Sequence, residues 1–130
     1  PKSTRRFVKY HLPVIVYAAG ILAVSSIPNL RIPDLRVLAV DKLAHFLEYA
    51  VFAFLTFWSF YHIGRIPNLR RTLLMAALFV TVFALLDELH QHFIPGRYSD
   101  WLDFVVDVLG AFIILAVLGL YRHRRPPRTS

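Results

Sequence analysis

The chain has no cysteine, which excludes disulfides and thiolate metal sites. Acids are few: eight Asp and Glu stand against fifteen Lys and Arg, a formal net charge of +7. No serine stands in a nucleophilic arrangement, and Glu88-Leu89-His90-Gln91-His92 is not the HExxH pattern of a zinc hydrolase. Long stretches have no charge at all. Tyr10 to Leu30 and Thr72 to Leu86 contain neither an acid nor a lysine or arginine. The remainder is apolar: 57% of the 130 residues are hydrophobic, 15% are aromatic, and the mean hydropathy is +0.53. A soluble core of this size could not bury so much, so the composition indicates a single integral membrane domain.

A net positive charge can mark a nucleic-acid binder, but the distribution here excludes it. There is no reading module and no basic stripe on a soluble face. The bases sit outside the apolar runs in three clusters: Lys2, Arg5, Arg6 and Lys9; Arg65, Arg70 and Arg71; Arg122, Arg124, Arg125 and Arg128. Those clusters hold eleven of the fifteen, as short cytoplasmic segments do under the positive-inside rule. The amino-terminal run has the outline of a signal peptide, and we read it as the first span.

The expected fold is all-α, a four-transmembrane-helix bundle with both termini cytoplasmic. A basic leader covers 1–9 and a basic, proline-rich tail covers 122–130. The membrane domain covers 10–121, with spans at about 10–30, 41–63, 72–94 and 100–121. Pro13 falls in the first turns of the first span, where proline is tolerated. Ser25, Ser26 and Pro28 mark its end. Asp34 or Asp41 caps the second helix, and Ser99 the fourth. Gly64, Pro67 and Asn68 break the chain between the second and third. The string Ile-Pro-Asn-Leu-Arg occurs at 27–31 and 66–70, with a variant at 32–36. This topology puts the two copies on opposite faces, so we read the repeat as coincidence.

All eight acids fall on the opposite loops or in the outer halves of the helices. The uncharged parts of the last three helices, Tyr49–Gly64, Thr72–Leu86 and Val108–Tyr121, are each marginal for a bilayer about 30 Å thick. Each spans only if its polar outer end is included. Such groups cannot face lipid, so they face one another, a partner or water, and an outer-leaflet polar pocket follows.

Three stretches form its walls. Asp41, His45 and Tyr49 lie at i, i+4 and i+8 on one helix face, with Lys42 adjacent and Glu48 within reach. Asp87 and Gln91 share a second face, which we assign to the interior. Glu88 and His92 share the neighbouring, lateral face. Asp103, Asp107 and Gly110 repeat at i, i+4 and i+7, and Gly110 admits a close helix. Asp100 is read as an exposed first-turn acid that suits the helix dipole. Pro95-Gly96-Arg97 is a tight connection that holds Arg97 beside the carboxylates or offers it to an anionic ligand. Ser25 and Ser26 are expected to satisfy backbone carbonyls. Six acids beside Lys42 and Arg97 cannot all stay charged cheaply, so either some are protonated or a cation sits among them. His45 with several carboxylates could ligate a divalent metal, though no strong metal spacing is present.

Ser25-Ser26-Ile27-Pro28, Asp41-Lys42 with His45 and Tyr49, Asp87-Glu88 with Gln91 and Phe93, Pro95-Gly96-Arg97, and Asp103 with Gly110 together resemble the VanZ-like family of small bacterial membrane proteins. That family takes its name from a member linked to teicoplanin resistance. The similarity runs over residues 10–120, and Asp107 stands where the family often has asparagine. The resemblance implies a four-helix cell-envelope protein in the bacterial cytoplasmic membrane.

Three functions remain open. The pocket could bind a membrane lipid headgroup or a glycopeptide without catalysis. It could be a membrane enzyme, with Asp87 or Glu88 as general base and His45 as proton shuttle. The chain could instead be an accessory subunit of a larger membrane complex, with Phe52, Phe54, Phe57, Trp58, Phe60 and Tyr61 packing on partners. No cofactor is specified.

Overall fold

In the computed structural model, described for residues 2–29, 35–63, 68–97 and 99–124, Pro13 sets the first feature. Proline lacks an N–H, so the Lys9 carbonyl loses its i+4 donor and the helix breaks at His11. The result is α1 (Lys2–Tyr10) followed at once by α2 (Leu12–Ser25). Helical bonding continues on either side, His11 N to Phe7 O at 2.8 Å and Ile15 N to His11 O at 3.2 Å. The expected leader is therefore helical, and the first span is a broken helix over Lys2–Ser25.

The other helices are α3 (Leu35–Tyr61), α4 (Leu69–His92) and α5 (Trp101–His123). The second span starts six residues earlier than expected, because residues 35–40 contain no glycine or proline to stop it. Asp41 is thus inside α3 and is not its cap; Asp34 lies outside the described residues. Gly64, Pro67, the tail beyond Arg124 and part of each copy of the repeated pentapeptide also lie outside them. Asn68 caps α4, its side chain accepting from Arg70 N at 2.9 Å. Asp100, not Ser99, caps α5 and accepts from Leu102 N at 3.0 Å. Aspartate in extended backbone places its carboxylate on that free N–H, which the residue one position earlier does not reach.

The helices pack inside out. Leu78 is 67% exposed and Asp107 only 2%. Leucines 74, 85, 86 and 89 point outward from α4, while its buried stripe is Thr72, Ala76, Val80, Ala84, Asp87, Glu88 and Gln91. Water would reverse that preference; lipid does not, because it solvates leucine and not carboxylate. Four apolar helical stretches, Lys2–Ser25, Ala39–Tyr61, Leu69–His92 and Trp101–His123, are 23 or 24 residues long. At 1.5 Å per residue each is about 35 Å long, enough to cross a hydrocarbon layer of about 30 Å. The protein is a multi-pass membrane protein.

Small residues set the helix spacing. Ala76 and Ala84 leave room for Phe52 and Tyr49 of α3, and Phe52 lies 4.7 Å from the Phe83 ring. Phe52 and Phe57 are core residues here rather than partner contacts; Phe54 and Tyr61 are exposed. The most extensive interface is α3 with α5. Gly110 makes it possible: a Cβ there would run into the Phe46 carbonyl.

The end with Lys9 and Arg122 is an aromatic and basic belt. Tyr10 stacks on His62 at 3.8 Å, His11 Nδ1 lies 2.7 Å from Ser59 Oγ, and Arg122 sits 4.3 Å from the Tyr61 ring centre. All the polar network described next lies at the other end.

Candidate functional site

Asp87 is the hub, and its position follows from α4 register. Three residues after Ala84, it falls on the buried stripe near the end of α4. Its Oδ2 accepts from Ser25 Oγ at 2.9 Å, Gln91 Nε2 at 3.1 Å and Tyr49 OH at 3.4 Å. Gln91 Nε2 also reaches Ser25 Oγ at 3.3 Å, and Gln91 Oε1 accepts from Arg97 Nη2 at 3.1 Å. Three elements therefore meet on one carboxylate, the end of α2, α3 and α4, and Gln91 links the α4–α5 turn to it.

Ser25 was missed by sequence reasoning, which assigned it to a backbone carbonyl. Ser26 alone does that, donating to Leu22 O at 2.6 Å and lying 2.9 Å from His90 Nε2. Ser25 is 3% exposed and its hydroxyl goes to Asp87 instead. One turn of a helix end carries two serines on different faces, and only the packing of α2 on α4 decides which face is inside. The Ser-Ser-Ile-Pro match was the available signal.

Arg97 donates to Oε1 of Gln91, the residue that in turn donates to the Asp87 carboxyl. Its loop is fixed by the preceding glycine. Gly96 has φ +73°, and a Cβ there would overlap Asn29, itself at φ +57°. Asn29 N donates to Pro95 O at 3.2 Å, which ties the loop after α2 to the turn before α5.

A second cluster lies between α3 and α5. Lys42 Nζ bonds Asp100 at 2.9 Å and also contacts Asp103. Asp100 is consequently both cap and ion-pair partner. Lys42, then the Leu102 N–H, holds its carboxyl below the usual value. His45 Nδ1 lies 3.0 Å from Asp107 Oδ1, and the two are largely buried. Donor atoms of Asp41, His45 and Asp103 all lie within 4.8 Å of one another.

Glu88 is 7% exposed, so the lateral face assigned to it is also buried; its partner there, His92, is exposed. The burial of α4 is wider than one stripe because α5 covers the Glu88 side while α2 and α3 cover the Asp87 side. Glu48 lies at the edge of this network, within electrostatic reach of His45, Asp87 and Arg97. It faces α2, lining a groove of 630 Å³ with Val16, Tyr17, Ile21 and Leu55. Tyr17 OH donates to the Glu48 backbone carbonyl at 3.2 Å.

Two oxygens in this end are buried with no hydrogen-bond partner among the described residues: Asp87 Oδ1 and Glu88 Oε1. Buried acceptors are nearly always satisfied, so each marks a missing donor.

Four membrane-spanning helices carrying acids, a histidine, a lysine and an arginine at one end define a small multi-pass membrane protein with a polar network at that end. The chain belongs to the VanZ/LLP1 family, whose model matches residues 2–122. No curated protein and no solved structure matches it.

Proposed function

We propose that the polar end binds the headgroup of a cell-envelope lipid, such as an isoprenoid-linked precursor or a glycolipid, or a glycopeptide of similar chemistry, without catalysing a reaction. The observation that carries this reading is the pair of partnerless oxygens, Asp87 Oδ1 and Glu88 Oε1. A sugar hydroxyl or an amine supplies the donors they lack. Arg97 spends one nitrogen on Gln91 and has further donors for a phosphate or carboxylate. The groove beside Tyr17 and Glu48 would take a hydrocarbon chain of the same lipid.

The membrane setting belongs to the same proposal. The basic, aromatic end faces the cytoplasm, both termini are cytoplasmic, and the polar end opens in the outer leaflet of the bacterial cytoplasmic membrane. Residues 10–121 then act as one unit, with basic segments on either side.

The test is native mass spectrometry of the protein released from mild detergent. We expect one co-purified lipid, or uptake of one equivalent from a panel of a polyisoprenyl phosphate, a glycolipid and a teicoplanin-type glycopeptide. Asp87→Asn should weaken that uptake by at least tenfold. A well-folded protein that carries no lipid and takes up none of the three overturns the reading.

A further inference from the structure

Outside the Asp87 hub, the richest group of ligating side chains is on the α3–α5 side. Asp41 and His45 are one turn apart on α3, and Asp103 faces them from the first turn of α5. We infer that Asp41, His45 and Asp103 form a site for a divalent transition-metal ion of the manganese or zinc type.

The geometry is close to that of a bound ion. The three donor atoms lie within 4.8 Å of one another. An octahedral shell with bonds of about 2.1 Å spaces its ligand atoms about 3 to 4 Å apart. Small side-chain rotations close the difference.

The histidine is oriented as a ligand. Asp107 holds Nδ1 at 3.0 Å, which leaves Nε2 for an ion. A carboxylate behind the imidazole is the usual partner of a metal-bound histidine, fixing its tautomer and ring plane. Asp103 gives Oδ1 to Lys42 and keeps Oδ2 for a second acceptor role.

An independent observation points the same way. Glu88 is 93% buried by the complement of its 7% exposure, and its Oε1 has no partner among the described residues. The groups that act on its carboxyl are Ser99, Asp103, the Asp100 backbone and His45. Ser99 and the Asp100 backbone hydrogen-bond this carboxyl, while Asp103 and His45 act on it through space, so its bare oxygen borders the three-residue cluster. A cation there satisfies that oxygen and offsets the charge of Asp41, Glu88, Asp103 and Asp107, for which Lys42 is the nearby ammonium. One imidazole with several carboxylates suits manganese or zinc better than calcium, which prefers oxygen alone.

The site shares Glu88 Oε1 with the lipid reading, but its three ligands do not, and the two readings fail separately. A protein that binds Mn2+ and no lipid keeps the ion site and loses the headgroup proposal; the reverse result does the opposite.

The test uses full-length protein in detergent, free of any histidine tag, titrated with Mn2+ and followed by electron paramagnetic resonance. We expect one bound Mn2+ per chain, displaced by Zn2+, with nitrogen modulation from one imidazole. Asp41→Asn, a half-buried and fold-tolerant change, should weaken binding at least tenfold. His45→Gln should do the same and remove the nitrogen signal. Asp107→Asn should weaken binding about 10- to 100-fold and keep the stoichiometry. Exposed His92→Gln should change nothing. Absence of stoichiometric Mn2+ in the wild type, a nitrogen signal that survives His45→Gln, or unchanged affinity in Asp41→Asn overturns the inference.

Discussion

Ser25→Ala probes whether the Asp87 hub holds the first span in place. The change deletes the shortest of the three donors to Asp87 Oδ2, at 2.9 Å, and leaves Gln91 at 3.1 Å and a long Tyr49 contact at 3.4 Å. Ser25 is 3% exposed, so water does not easily replace the hydroxyl. A hydrogen bond to a charged group contributes about 1.5–3 kcal/mol in soluble proteins. In membrane proteins the average measured bond is nearer 0.6 kcal/mol with a maximum near 1.7, because the unfolded chain in lipid also finds partners. Burial of both partners, with no water at hand to replace the hydroxyl, places Ser25 at the upper end of that second range. The expected loss is about 1–2 kcal/mol, roughly a five- to thirtyfold change in the unfolding equilibrium. The assay is unfolding in mixed detergent micelles, followed by circular dichroism, within a double-mutant cycle. Asp87→Asn removes the charge and should shrink the Ser25→Ala effect by about 1 kcal/mol. Ser26→Ala is the control: Ser26 is exposed, so water replaces its contacts with Leu22 O and His90 Nε2, and its cost should stay below about 0.5 kcal/mol. A Ser25 cost no larger than the Ser26 cost, or one that is additive with Asp87→Asn, refutes the hub.

Two further outcomes follow from the packing and the ion pair. Gly110→Ala drives a methyl into the Phe46 carbonyl and should destabilise the α3–α5 interface by about 1–3 kcal/mol, measured by the same unfolding assay. Asp100→Asn keeps a good helix cap and removes only the charge paired with Lys42. Because the folded carboxyl titrates below its unfolded value, near 3.9, the pair's contribution is present above that pH and is lost as pH falls through the folded value. Asp100 is partly exposed, so the contribution is a screened one of at most about 1 kcal/mol. The stability difference between wild type and Asp100→Asn should be constant from pH 8 to 5 and shrink below about pH 4. A difference that grows on acidification refutes the assignment.

The sequence by itself determined the setting. Uncharged runs of fifteen residues and more can only be buried or in lipid, and a chain this short has no interior large enough for them, so four membrane spans follow from composition and length. It also determined that the polar ends share one side, since every acid clusters toward the same ends of the helices. The i, i+4 spacing put Asp41 with His45, Asp87 with Gln91 and Asp103 with Asp107 on common faces, because helical periodicity is local.

Tertiary structure decided which of those faces meet. Spacing cannot tell that Ser25 rather than Ser26 turns inward, since that depends on how α2 lies on α4. It cannot tell that Glu88 is buried against α5, that Glu48 turns away toward α2, or that Arg97 ends on Gln91. Helix ends also escaped, because the start of α3 is set by where no breaker occurs and not by where charge begins. Asp87 to Arg97 was legible as a charged helix end followed by a tight turn. Its role as the hub joining three elements came only from packing, which converges three donors on one oxygen and leaves the other bare.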